Sequence, residues 1–213
     1  QPEVSEATRT ATFTPGRDAA RKEASKLNVP RIGVRFRLPA SMNQVEYFGR
    51  GPAENYLDRN AGSMIGLYKS TAEELYFPYV RPQENGHHTD TRWVSLSTGK
   101  KGLLIQADNT IGFNALRNSI EDFDDEEATG LSRQWSNFTP EQVANHDEAA
   151  AKNVLRRQHH INDITPCDFV EVCVDLKQQG VAGYDSWGSR PEPAYTLPAN
   201  REYNWGFTLI PLK

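Results

Sequence analysis

The sequence predicts an all-β protein built as a large antiparallel β-sandwich. Several stretches of the 213 residues alternate apolar and polar side chains, which is the pattern of strands with one face in a core and one in water. Clusters of Gly, Pro, Asn and Asp separate these stretches at intervals of about 8–12 residues, as in sandwich folds. Only one segment has a convincing helix start.

Nine segments predict strands. Residues 31–38 alternate most cleanly, because every even position is apolar and the opposite, wet face carries three arginines. Residues 169–177 place three valines and a leucine on one face. The last strand, 202–209, has one apolar face made by Tyr203, Trp205, Phe207 and Leu209. The other strands are predicted at 44–48, 62–68, 75–80, 92–97, 102–108 and 111–118, with a shorter piece at 10–14.

Local signals place the turns and the helix. Asn-Gly at 85–86 predicts a type I′ hairpin turn, and Asp-Asn at 108–109 predicts another turn. Two prolines confine strand 75–80 to the edge of a sheet. A helix is expected at 139–152, because Thr139 can cap it and a proline follows at the first helical position.

Charge and composition limit the partners and the organisation of the chain. The net charge of −4 argues against nucleic acid or an anionic membrane, since both need a basic surface. No apolar run approaches the length of a membrane span. Residues 1–29 are polar, lack an initial Met and a signal region, and predict an N-terminal remnant or loop, so the chain looks cut from a longer protein. Residues 30–213 predict one sandwich domain, and its compartment stays open between cytoplasm and periplasm.

Few residues suggest bond-breaking chemistry or a metal. Cys167 and Cys173 would lie about 20 Å apart on one strand, which is too far for a disulfide. The acidic run 122–127 is interpreted as a solvated loop rather than an acid–base pair. His159 and His160 would point to opposite faces of a strand and so make a poor chelate. Phosphate loops, His-Glu-x-x-His helices and Gly-x-Ser-x-Gly turns are missing from the sequence.

One loop, residues 183–188, combines tight-turn glycines at both ends with Asp185, Ser186 and Trp187. A tryptophan on a turn-rich loop is costly to leave in water unless it packs or binds something. Its flat apolar face suits the C–H face of a sugar ring, and the polar neighbours suit hydroxyls. The alternative interpretation is that Trp187 plugs the end of the sandwich.

Four stretches together resemble one family. They are Tyr-Phe-Gly-Arg-Gly-Pro-Ala-Glu-Asn-Tyr-Leu-Asp-Arg at 47–59, Tyr-Val-Arg-Pro-Gln-Glu-Asn-Gly at 79–86, Thr-Arg-Trp at 91–93 and Asp-Ser-Trp at 185–187. In this order and spacing they resemble the C-terminal small-chain domain of family 2 β-galactosidases. The resemblance runs from about residue 30 to the end of the chain.

The resemblance implies a supersandwich similar to galactose mutarotase, in an enzyme that hydrolyses terminal β-galactosides such as lactose with retention. It implies that no catalytic carboxylate lies in this chain, since the family's glutamates belong to an upstream barrel domain. Trp187 would lie against the sugar, and Asp185 and Ser186 would shape its loop. Mg²⁺ or Na⁺, where the whole enzyme uses one, would bind elsewhere, and the full enzyme would be a homo-oligomer.

The sequence also departs from the family. In the family the loop commonly reads Gly-Gly-Asp, then an acidic or amide residue, then Ser-Trp. Here Ala182, Gly183 and Tyr184 stand in place of Gly-Gly-Asp. Tyr184 is therefore expected to add a second aromatic wall or to shift the loop. The family domain begins before Gln1, which predicts that the first strands are missing. Motifs 54–59 and 84–86 are expected to be scaffold, through buried ion pairs and turns.

Two other functions compete with this interpretation. A freestanding carbohydrate-binding module would bind galactose or lactose by itself, which calorimetry detects. A mutarotase-like epimerase would need a histidine acid and a glutamate base facing one cleft, with His87, His88, His159 and His160 as candidates by residue type. Acceleration of sugar anomerisation would identify it.

Overall fold

A computed structural model describes residues 28–123, 161–185 and 188–213, together with the short first strand. This part of the chain is all-β, which confirms the predicted class and is consistent with a β-sandwich. The strands are β1 Ala7–Thr8, β2 Arg31–Pro39, β3 Gln44–Gly51, β4 Met64–Thr71, β5 His88–Ser97, β6 Gly102–Leu116, β7 Phe169–Gln178 and β8 Phe207–Leu212. Three short 3₁₀ helices cover Ile120–Phe123, Ile161–Asp163 and Pro193–Tyr195.

Some predictions concern residues outside these ranges. They are the strand piece at 10–14, residues 124–127 of the acidic run, the helix at 139–152, His159 and His160, and most of the polar segment 1–29. The division of the chain at residue 30 stays a prediction.

All strand pairings are antiparallel, and β6 organises the sheet. The main strand order is β1-β8-β6-β5-β3-β4. One edge of β6 pairs with β5, whereas its other edge pairs first with β8 and then, over residues 112–116, with β7. β7 in turn pairs with β2 along the whole of β2. The loop that follows β7 is therefore attached to the centre of the sheet.

Alternation in the sequence becomes a buried face in the structure. The core contains Val45, Tyr47, Val94, Leu96, Ile105, Phe113, Val170, Val172 and Val174, all at most 1% exposed. The apolar face predicted at the end of the chain also packs inward, although regular pairing in β8 begins only at Phe207. At the opposite end of the main strand order, β4 exposes Met64, Ile65 and Leu67.

Two predicted elements near residue 80 are wrong. Residues 75–80 form no strand, and Asn85 does not start a type I′ turn, since only Gly86 of that pair has a positive φ, 67°. Asn85 is buried instead, and its side chain bonds both backbone groups of Phe77, at 2.8 Å and 2.5 Å. These bonds satisfy backbone groups that a strand would have paired with a neighbour.

The predicted turn at 108–109 is also wrong. β6 continues through it, and the N–H of Asp108 donates to the carbonyl of Gly206 at 3.1 Å. The pairing with β5 jumps here, since Thr91 faces Ile111 while Trp93 faces Gln106. The polar pair thus marks a bulge, which bends a strand without ending it.

The face of β2 that was predicted to be exposed to solvent carries arginines that form ion pairs with acids of β7. Arg35 and Arg37 lie 3.5 Å and 3.1 Å from the carboxylate of Glu171 on β7, and Arg31 lies 3.1 Å from Asp175. Both acids are buried, so β7 has buried side chains on both of its faces. Cys173 lies between them on the same strand, whereas Cys167 lies before the start of β7 and is only partly buried; both are free thiols.

Candidate functional site

The loop after β7 carries the predicted sugar-binding residues. Asp185 is described and exposed, whereas Ser186 and Trp187 lie outside the described residues. The contact of the indole with a sugar therefore stays a prediction. What the structure shows is how both flanks of the loop are held.

Asp58 holds the first flank. Its Oδ1 accepts a hydrogen bond from the N–H of Val181 at 3.1 Å, and its Oδ2 accepts one from the N–H of Ala182 at 2.8 Å. The hydroxyl of Tyr184 donates to the same Oδ2 at 3.4 Å. Hydrogen bonds to a carboxylate are about twice as strong as those between neutral groups. The carboxylate thus fixes the loop where it leaves the sheet.

The backbone is in an unusual conformation at the residues that follow this anchor. Ala182 has φ 55° and Gly183 has φ 84°, both in the left-handed region. For an alanine this conformation costs roughly 1–2 kcal/mol. The bond from the Ala182 N–H to Asp58 offsets that cost, so the turn depends on the anchor.

Side chains inside the loop hold the second flank. The N–H of Tyr184 donates to the hydroxyl oxygen of Ser189 at 3.1 Å, and the N–H of Ser189 donates to the carboxylate of Asp185 at 3.4 Å. These two bonds join the residues on either side of 186–187. Tyr184 itself is 56% exposed, next to these two hydrogen bonds.

The turn that presents Asp58 is rigid. The N–H of Arg59 donates to the carbonyl of Tyr56 at 2.8 Å, and Tyr56 is buried, with its ring stacked on that of His87. Glu54 accepts bonds from the hydroxyl of Tyr56 at 3.1 Å and from the N–H of Gly86 at 2.7 Å. The same carboxylate also lies 3.6 Å from the guanidinium of Arg59.

Asn55 joins the two scaffold motifs further. Its side-chain NH₂ donates to the carbonyls of Arg50 and Ala53, each at 3.1 Å. Its Oδ1 accepts from the N–H and the hydroxyl of Thr89, and its own N–H donates to the carbonyl of His87. Motif 54–59 and the segment after residue 84 are therefore one interlocked scaffold, as the resemblance implied. No local pattern in the sequence indicates that Asp58 reaches from this scaffold to the loop after β7.

A buried polar network lies between β2, β6 and β7, and sequence reasoning missed it. One guanidinium nitrogen of Arg31 donates to Asn114 at 2.9 Å and to Gln178 at 2.6 Å. Burial raises the pKa of Asp175 to about 7, although the charge of Arg31 acts in the opposite sense. Burial also lowers the pKa of His87 to about 3, helped by the charge of Arg31. The available signal was Asp175 itself, a charged residue between the apolar Val174 and Leu176 in strand 169–177.

Of the four histidines considered for an epimerase, the two that the structure describes, His87 and His88, do not face a cleft. His87 and His88 are 2% and 0% exposed. Both ring nitrogens of His88 contact backbone carbonyls, those of Gly86 at 3.1 Å and Pro52 at 3.2 Å. Neither ring can exchange a proton with a bound sugar in this position.

The described residues contain neither a metal-binding cluster nor a membrane-spanning helix. Within 28–123, 161–185 and 188–213, no three His, Cys, Asp or Glu side chains gather closely enough to hold a metal ion. Over the same residues, no helix has the length and apolar character needed to cross a membrane.

Comparison with known proteins gives one consistent result. The family model described as the β-galactosidase small chain matches residues 3–209. A β-galactosidase of Priestia megaterium is 35% identical over 185 residues, which is 86% of this chain and 15% of that protein. An Arthrobacter β-galactosidase is 40% identical over 111 residues, 49% of this chain and 11% of that protein. A Vibrio cholerae β-galactosidase is 29% identical over 181 residues, 85% of this chain and 14% of that protein. The chain thus spans about one seventh or less of the length of these relatives.

Proposed function

Because the chain belongs to the β-galactosidase small-chain family, we propose that it is the C-terminal part of a retaining enzyme that hydrolyses terminal β-D-galactosides such as lactose. In this proposal the catalytic glutamates belong to an upstream barrel domain of the same polypeptide, and the chain alone is inactive. Its role is to close one side of the sugar pocket with the loop after β7. Trp187 contacts the sugar, while Asp185 and Ser186 shape the loop around it.

The observation that carries the proposal is the way this loop is held. Asp58 fixes its start, and the bonds between Tyr184, Ser189 and Asp185 join the described residues on either side of 186–187. A rigid loop on a sheet scaffold can hold an aromatic ring at a pocket with little loss of conformational entropy on binding. Such a ring adds affinity for a sugar without taking part in bond cleavage.

Three largely buried acids among the described residues serve the scaffold, as the proposal requires. Retaining glycosidases need two carboxyl groups about 5–5.5 Å apart, free to face the substrate. The buried carboxylates Glu54, Glu171 and Asp175 instead lie against arginines of the scaffold. The proposal also assigns any Mg²⁺ or Na⁺ of the whole enzyme to its other domains and expects a homo-oligomer.

The test is Trp187→Ala in the complete enzyme, with kinetics on lactose and on an aryl galactoside. We expect KM to rise about tenfold, which corresponds to roughly 1.4 kcal/mol of lost binding, with a smaller change in kcat. A ring that contacts ground state and transition state alike affects binding more than chemistry. Trp187→Phe should recover part of the affinity.

Phe77→Ala is the matched control, because Phe77 is a half-exposed aromatic residue outside the loop. It should leave KM unchanged for both substrates. Unaltered kinetics in Trp187→Ala would remove the proposed role of the indole.

A further inference from the structure

We propose that Asp58 is a positioning residue of the galactoside pocket, which sets substrate affinity by fixing the loop that carries Trp187. The inference rests on the proposed function and deepens it. Asp58 is not expected to touch the sugar. It acts through the backbone of residues 181–184.

The two oxygens of Asp58 bind two successive backbone amides, those of Val181 and Ala182. A carboxylate held at both oxygens cannot rotate without breaking a bond, so it fixes the orientation of the peptide as well as its position. The hydroxyl of Tyr184, two residues after Ala182, makes a third contact with this carboxylate. Three of the four residues that follow Gly180 are thus tied to one side chain.

Close packing at Gly180 reinforces this anchor. A Cβ added to Gly180 would lie 2.5 Å from both Cγ and Oδ2 of Asp58, which is closer than real Cβ atoms approach. The N–H of Gly180 also donates to the carbonyl of Tyr195 at 2.8 Å. The loop therefore starts between Asp58 on one side and residues 193–195 on the other.

The other end of the anchor cannot yield easily. Asp58 belongs to the turn closed by the bond between Arg59 and Tyr56, and the ring of Tyr56 is 1% exposed. Movement of the carboxylate would disturb this buried ring. Since Trp187 follows Tyr184 by three residues, release of Asp58 is expected to move the indole rather than the scaffold.

The experiment uses Asp58→Asn in the complete enzyme. Asparagine keeps one acceptor oxygen but replaces the other with an NH₂ group, which would face a backbone N–H donor. We expect KM for lactose to rise about three- to tenfold, with kcat changed less than about twofold, because Asp58 lies outside the reacting groups. Asp108→Asn, at an exposed aspartate on β6, is the matched control and should leave KM unchanged.

A double-mutant cycle separates positioning from general damage to the fold. In the Trp187→Ala background, Asp58→Asn should give no further rise in KM, because the ring it positions is already gone. A merely structural role would lower the active fraction equally in both backgrounds. Gly180→Ala provides a second variant, since its methyl group displaces the carboxylate without removing its charge, and it should raise KM in the same direction.

The outcomes distinguish the two proposals. If Trp187→Ala raises KM while Asp58→Asn and Gly180→Ala do not, the positioning role is wrong and the pocket role stands. If Trp187→Ala has no effect, the pocket role itself is wrong, whatever Asp58 does. Should Asp58→Asn fail to fold, an unchanged KM in soluble Gly180→Ala is enough to overturn the positioning role.

Discussion

The Nε of Arg31 lies 3.1 Å from the carboxylate of Asp175, yet neither this nitrogen nor the two carboxylate oxygens form a hydrogen bond with normal geometry. Asp175 is 1% exposed. A buried ion pair of this kind loses solvation that its mutual attraction only partly replaces. The pair holds β2 to β7, the strand from which the candidate site emerges.

Removal of Arg31 should therefore be more damaging than removal of the charge of Asp175. Arg31→Met leaves the buried carboxylate of Asp175 without its charge partner, and Asn114 and Gln178 without their shared donor. We expect the free energy of unfolding to fall by about 3–5 kcal/mol. Asp175→Asn removes a charge that burial already disfavours, so its effect should be clearly smaller. Urea denaturation measures both.

Arg35→Met is the control for this comparison. Its side chain is 42% exposed, its nearer partner Glu121 is exposed, and the buried Glu171 keeps Arg37 as a partner, so a change within about 1 kcal/mol is expected. Equal losses for Arg31→Met and Arg35→Met would contradict the importance of the buried pair.

The altered pKa values of Asp175 and His87 predict two opposing pH dependences. The pKa of Asp175 is raised from 3.8 to about 7, so between these values unfolding releases a proton and stability falls as pH rises. The pKa of His87 is lowered from 6.5 to about 3, so over that range unfolding takes up a proton and stability rises with pH. Between about pH 4 and 6.5 the two effects largely cancel in the wild-type protein.

Single variants should uncover each effect. Relative to wild type, the free energy of unfolding of Asp175→Asn should rise with pH by up to about 1.4 kcal/mol per pH unit. That of His87→Phe should fall with pH at a similar rate. Urea midpoints at pH 4.5, 5.5 and 6.5 give the slopes, and differences from wild type cancel the other titrating groups. Slopes identical to wild type in both variants would show that neither group has a shifted pKa.

Period-two alternation was sufficient to locate most of the sheet, because strands such as β2 and β3 place one face in a single core. It failed where a side chain takes over backbone pairing, as Asn85 does for Phe77. It also failed at residues 108–109, where turn-forming residues sit in a bulge. These residues have the same local preferences as residues of the same type in ordinary strands and turns. Only their tertiary contacts differ.

The candidate site was less predictable than the fold. The motif of residues 185–187 identified the loop, but the residue that holds it lies 123 positions earlier in the chain than Val181. No local pattern around Asp58 indicates a partner at that distance. The network of Arg31 is similar, since its partners Asn114 and Asp175 come from β6 and β7 and meet only in the folded sheet.

Gly33 marks the point of closest approach between β2 and β7. A Cβ added there would lie 2.0 Å from Oδ1 of Asp175 and 2.6 Å from the carbonyl oxygen of Val174. Because one of these neighbours is backbone and the other is a buried carboxylate, neither can move away cheaply. Gly33→Ala should therefore reduce the free energy of unfolding by about 1–3 kcal/mol or more through overpacking.

Gly62→Ala is the matched control, since nothing lies within 4 Å of its added Cβ, and it should stay within about 0.5 kcal/mol of wild type. Thermal or urea denaturation of the two variants decides the matter, and equal stabilities would mean that β2 and β7 do not approach as closely as the Asp175 contact requires.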